Sequence, residues 1–219
     1  MLFLTAKTAQ ALQHVQSALR LDPGHETAQR LRKRIKDVER LKEEGNVAFK
    51  AGRLQEATER YGEALEVCSV GVTNRLDCAH VRLQRIGNSP EEGKGGQIRA
   101  ILLSNRATAL VKVCDVQRYY FEAVFIHHVQ LERHEDALED TEESLRLYPA
   151  SFKALRTRAR IYLHLEKYDA SIADFKSAIE QAEYDGNSAD VKALKAELKK
   201  AELALKRSKT KDYYKILGA

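Results

Sequence analysis

Any chemistry in this chain would have to come from its three cysteines, its paired histidines or its many charged side chains. The cysteines, Cys68, Cys78 and Cys114, have no Cys-x-x-Cys spacing, so neither a zinc site nor a disulfide framework is expected. His127-His128 are the candidate metal ligands nearest Cys114, but no carboxylate or second thiol stands at ligand spacing. No Ser/His/Asp, Cys/His or paired-carboxylate arrangement falls where one scaffold would position it. Gly93-Lys94-Gly95-Gly96 lacks the strand-to-helix setting of a phosphate loop and reads as an ordinary loop. No enzymatic activity, cofactor or metal is therefore expected. What remains is recognition by surface side chains.

The elements that must position those side chains are helices. Charged residues make up 32% of the chain and aromatics 7%, with no Trp and three Pro, a composition that favours long amphipathic helices. The net charge is +5. Its basic clusters, Arg30, Arg32, Lys33, Arg34, Lys36 and Lys206, Arg207, Lys209, Lys211, have no interleaved aromatics. They read as solvated helix surface, and no nucleic-acid partner is expected. No apolar run approaches the ~20 residues needed to span a bilayer. The opening Met-Leu-Phe-Leu-Thr is too short for a secretory segment and lacks a basic flank. Neither a membrane span nor secretion is expected, which leaves cytoplasm or nucleus.

The helices repeat. Leu41, Gly45, Ala48, Gly52, Leu54, Ala57, Tyr61 and Ala64 form one unit. A second has Leu102, Asn105, Ala107, Ala137, Leu145 and Pro149, and a third has Leu155, Ala159, Tyr162, Leu165, Tyr168, Ser171, Phe175 and Ala178. Small residues stand where two antiparallel helices approach closely, large ones fill the space between them, and Gly52 sits in the turn. Ala11, Val15, Ala18 and Leu21, stopped by Asp22-Pro23-Gly24, read as a lone second helix of a preceding unit. This pattern resembles the tetratricopeptide (TPR) repeat, which implies an all-α superhelix of helix pairs.

Spacing then isolates two tracts. From Ala107 to its equivalent Ala159 is 52 residues, against a TPR period of about 34. The excess matches Val113–Gln130, an 18-residue tract, and without it Val111-Lys112 runs into Leu131-Glu132-Arg133-His134-Glu135-Asp136-Ala137 as a normal turn. Val67–Gln84 has the same length, the same Val-Cys start and the same Gln end, and is followed by the polar loop Gly87–Gly96. The two tracts hold all three cysteines. Val-Cys codons can carry a GTATGT-like splice donor, Thr73-Asn74 an ACTAAC branch point and a terminal Gln a CAG acceptor. Eighteen codons are 54 nucleotides, in frame, the size of a short fungal intron. We read both tracts as retained introns, with a pair of genuine insertions as the alternative, and sequencing the mature transcript decides between them. The second tract falls inside a helix pair, where its Tyr119, Tyr120, Phe121, Phe125 and Ile126 either prolong the first helix or pack irregularly.

A basic helix from about Ser188 is followed by Lys211-Asp212-Tyr213-Tyr214-Lys215-Ile216-Leu217-Gly218, which resembles the opening of a J-domain. TPR units, a Lys-rich helix and this octapeptide together resemble the TPR-containing DnaJ co-chaperones (DnaJ subfamily C, TPR type). The expected organisation is a partial TPR and connecting helix over 1–37 and three TPR units over 38–187, interrupted at 67–84 and 113–130. The basic helix follows over 188–211, with the start of a J-domain over 212–219. The His-Pro-Asp motif by which that module stimulates the 70-kDa heat-shock chaperone is absent, so ATPase stimulation is not expected.

The resemblance implies a function. Many co-chaperone TPR domains bind the acidic C-terminal tails (Glu-Glu-Val-Asp) of the 70- and 90-kDa heat-shock chaperones through a two-carboxylate clamp. By that resemblance Lys42 and Asn46 match the first-repeat pair, Asn105 the second-repeat Asn and Lys153 the third-repeat Lys. The third-repeat Arg is Thr157 here, and Arg156, three residues from Lys153, is the substitute donor. The expected molecule is a monomeric adaptor. The alternative is a general TPR scaffold for another peptide.

Overall fold

The computed structural model describes residue 3 and residues 5–69, 96–120 and 124–216, with side chains at 3, 5–68, 96–113 and 133–210. The described residues form eight helices and no strand: α1 (Thr8–Leu21), α2 (Glu26–Lys50), α3 (Leu54–Ser69), α4 (Gln97–Tyr120), α5 (Val124–Leu147), α6 (Phe152–His164), α7 (Tyr168–Tyr184) and α8 (Ser188–Ile216). None of these helices is long and apolar enough to cross a membrane. The chain divides into two compact units, Met1–Val113 and Cys114–Ala219.

In the first unit α2 packs on α1 and α3. Its buried residues Ala28, Ile35, Val38, Leu41, Gly45 and Ala48 recur every three to four positions or every second turn, as an amphipathic helix requires. Gly45 lets α3 approach: a Cβ there would lie 2.6 Å from the Tyr61 ring. Tyr61, Ala57 and Ala64 are buried as the spacing predicts. In α1 only half of the predicted stripe is covered. Ala11 and Val15 are buried, but Ala18 is exposed and Leu21 is 91% exposed. The stripe runs past the part of α1 that a neighbour covers. Helix α2 is unbroken through residue 37, so the connecting helix and the first helix of the next pair are one element.

Arg34 corrects the reading of its cluster. It is half-buried, and its guanidinium donates to the Val67 and Cys68 carbonyls at the end of α3 and lies over Phe3. Helix-terminal carbonyls have no intrahelical donors, so a cation from the neighbouring helix closes this end. Arg30, Arg32, Lys33 and Lys36 are exposed as expected. The Cys68 thiol is pushed up to about 11 by burial, against the opposing charges of Arg34 and Arg99.

In the second unit α6, α7 and α8 pack in sequence around Phe175, with Leu155, Ala159, Ala178, Ile179, Leu194 and Ala201. Ser171 is polar yet fully buried because its hydroxyl donates to the Ala159 carbonyl at 2.8 Å.

Three helices stop by one device. The amides of Arg53, Lys167 and Asn187 reach back five residues to the carbonyls of Ala48, Tyr162 and Ala182, the closure that needs a left-handed residue just before it. Gly52 and Gly186 supply it with φ of 76° and 72°, but Glu166, at the repeat position of Gly52, is held at φ 57°. A side chain in that region costs about 1–2 kcal/mol, and glycine returns part of the gain through its unfolded-state freedom. Glu166→Gly is expected to raise stability by about 0.5–1 kcal/mol, read as a shift of the urea midpoint of the second unit. A destabilised variant would contradict it.

The corresponding position of the second pair is Cys114, and there the helix does not stop: α4 continues to Tyr120, and α5 begins at Val124. Residues 113–120 and 124–130 of the tract therefore continue the two helices of the pair. The division between the units falls at its first residue. Its aromatic side chains, Cys114 and His127-His128 lie outside the described side chains. So do residues 70–84 of the first tract, with Cys78 and Thr73-Asn74, and most of the loop 87–96. The backbone of 211–216 continues α8, and the side chains of the J-domain-like octapeptide lie outside the described ones.

Candidate peptide-binding site

Lys42, Asn46 and Phe49 lie on one face of α2, at spacings of four and three residues. Asn105 and Lys112, seven apart, share a face of α4. The Lys112 ammonium sits 4.2 Å from the Phe49 ring centroid, so the α2 stripe carrying Lys42 and Asn46 turns toward the α4 stripe carrying Asn105. Lys42 and Asn46 thus share a stripe of α2 whose Phe49 meets the stripe of α4 that carries Asn105. Lys42 is half-buried and forms no ion pair among the described residues; Asn105 is half-buried and has no hydrogen-bond partner among them. Ile101, one turn before Asn105, is 42% exposed and adds apolar surface to the same stripe.

Asn46 is held from two sides. The Tyr61 hydroxyl donates to its Oδ1 at 2.9 Å, and its Nδ2 donates to the Glu43 carboxylate at 3.2 Å. Burial, and then the charge of Glu43, push the Tyr61 hydroxyl up to about 12, so it stays protonated and able to donate. The Asn46 amide thus already holds a carboxylate. An incoming anion can take that donor by displacing Glu43, which is solvent-exposed. Phe49, Lys112, Ile101 and Glu43 are absent from the predicted site. Phe49 and Lys112 stand seven residues after Lys42 and Asn105, and that spacing is the signal that points to them.

In the second unit Lys153 is exposed, with its ammonium 5.9 Å from the Phe152 ring. Thr157, in place of the expected arginine, is buried and donates to the Lys153 carbonyl at 3.0 Å. Arg156 is not a free substitute. Its guanidinium donates to Glu197 of α8, with Asp190 at 4.0 Å. Arg160 binds both oxygens of Glu197 at 2.7 and 2.8 Å. Arg158 grips both oxygens of Asp174 on α7. The arginines of α6 tie helices together, and Lys153 is the site residue of α6 that stays open.

Burial alone would raise the Glu197 carboxyl, but the hydrogen bonds and charges of Arg160 and Arg156 outweigh it and hold the group below its ordinary value. A carboxyl depressed in the folded state adds stability that is present above the unfolded value and lost as pH falls through the folded one. The stability gap between wild type and Glu197→Gln is expected to narrow from about pH 5 down to about pH 3, measured by urea unfolding. A constant gap would contradict the role of the two arginines.

Residues 125–199 match the family model described as tetratricopeptide repeat. The TPR domain of P58(IPK) superposes with a TM-score of 0.62 over 94% of this chain and 44% of that one, at 20% identity. The chain is built of tetratricopeptide repeats. Its relatives among curated proteins include DnaJ proteins. A DnaJ homolog subfamily C member 7 homolog of Schizosaccharomyces pombe is 32% identical over 217 residues, covering 99% of this chain and 36% of that protein. A tetratricopeptide repeat and J domain-containing co-chaperone of Fusarium oxysporum is 42% identical over 85 residues, covering 39% of this chain and 15% of that protein. The TPR chain thus spans about a third of the length of the first relative.

Proposed function

We propose that this TPR chain is a non-enzymatic co-chaperone adaptor that holds the acidic C-terminal tail of a 70- or 90-kDa heat-shock chaperone, in cytoplasm or nucleus. The observation that carries the reading is the contact of Lys112 with Phe49, which links the α2 stripe of Lys42 and Asn46 to the α4 stripe of Asn105. A cation and two amides suit a peptide ending in a free carboxylate beside an Asp side chain, because charge-assisted hydrogen bonds are the strong ones. The names of its relatives, which are DnaJ proteins and one a co-chaperone, support the same partner class. The test is capture of purified chaperone by this chain, intact against a form lacking its last four residues. Capture that requires the tail supports the clamp. Equal capture of both forms points to a scaffold that reads another surface.

A further inference from the structure

Helix α8 is longer than the core that holds it. Leu194 and Ala201 are fully buried, Val191 and Leu198 pack against the same core, and no described side chain from Glu202 to Thr210 is buried. Asp190 and Glu197, two of the acids of α8, turn inward to Arg156 and Arg160. That leaves the solvent face strongly basic: Lys192, Lys195, Lys199, Lys200, Lys206, Arg207 and Lys209 are exposed, against Glu202 alone among the described side chains of α8. At 100° per residue, Lys192, Lys195, Lys199 and Lys206 fall within a narrow stripe about 20 Å long. Among the described residues only Lys195 of these seven has an ion-pair partner, Glu183 on α7. Like charges one turn apart destabilise a helix, and a partner of opposite charge relieves that repulsion.

Apolar surface is interleaved with the charge. Leu203 is 55% exposed within the stripe. A shallow groove of about 430 Å³ is lined by Val191, Ala196, Ser188 and the three lysines Lys192, Lys195 and Lys199. We propose that this face of α8 is a docking surface for an acidic segment of a partner protein, held through side-chain carboxylates and a few apolar contacts rather than through a chain terminus. An apolar centre rimmed by charge suits a protein segment. Nucleic acid would call for stacking aromatics, and α8 has none among its described side chains.

The probe is a fluorescein-labelled, C-terminally amidated peptide of about 20 residues repeating Glu-Glu-Leu-Ala, titrated into the full chain at about 0.1 M NaCl. The amide removes the terminal carboxylate, so the probe does not report recognition of a chain terminus. Combined Lys192→Glu, Lys199→Glu and Lys206→Glu is expected to weaken binding by about tenfold or more. Leu203→Ser should weaken it by about threefold. The matching Lys→Gln set, which introduces no new charge, should follow the same order with smaller losses and guards against misfolding of the reversed set. No binding to the wild-type chain would overturn the proposal, as would an affinity that both lysine sets leave unchanged. Tighter binding of a single-stranded oligouridylate of the same length, insensitive to Leu203→Ser, would also overturn it and mark the face as a nucleic-acid surface.

Discussion

Phe175→Ala is expected to destabilise the second unit by about 3–5 kcal/mol. Phe175 is 1% exposed and belongs to the cluster that joins α6, α7 and α8. Five members of that cluster, Ala154, Ala159, Ala178, Ala182 and Ala201, have side chains that end at Cβ and cannot swing in to fill the space. The cost is therefore that of an uncollapsed cavity added to the lost burial. Phe175→Leu, which keeps most of the volume, should cost about 1–2 kcal/mol. Urea unfolding followed by far-ultraviolet circular dichroism reads both. A loss below about 1 kcal/mol for the alanine variant would mean that the cluster closes over the gap.

The largest functional effect is expected at α2. Lys42→Ala removes the half-buried cation of the site, and Asn46→Ala removes the amide held between Tyr61 and Glu43. Hydrogen bonds to charged groups contribute about 1.5–3 kcal/mol. Each substitution should therefore weaken a peptide ending in Glu-Glu-Val-Asp by about tenfold to a hundredfold. Fold stability should change little for Lys42→Ala, whose side chain is outside the core. Asn46→Ala also leaves the buried Tyr61 hydroxyl without its acceptor, so a modest loss of stability accompanies the loss of binding. Peptide affinity unchanged by Lys42→Ala would remove that residue from the site.

The core was legible because helix pairs need small residues at close approaches and large ones between them. Gly45 against Tyr61, and Ala159 and Ala178 around Phe175, follow from spacing alone. The turn at Gly52 was legible for the same local reason. Its equivalent Glu166 was not, because no residue type announces a left-handed conformation forced on a glutamate.

Site residues divided along the same line. The faces carrying Lys42 and Asn46, and Asn105 with Lys112, follow from helical spacing, but the contact that turns those faces together is long-range. Arg156 was misread because its partner Glu197 lies 41 residues further along, on a helix whose packing no local pattern specifies. In a bare list of basic residues, Arg34 closing the end of α3 looks the same as its solvated neighbours. Long-range partners, rather than residue types, separate the packing arginines from the lysines left without ion-pair partners among the described residues of this TPR chain.

The most direct measurement of the clamp is the affinity of one labelled peptide ending in Glu-Glu-Val-Asp, as the free acid and as the C-terminal amide. The free acid is predicted to bind about tenfold or more tightly, with the difference reduced in Lys42→Ala. Equal affinity of acid and amide would contradict recognition of the chain terminus.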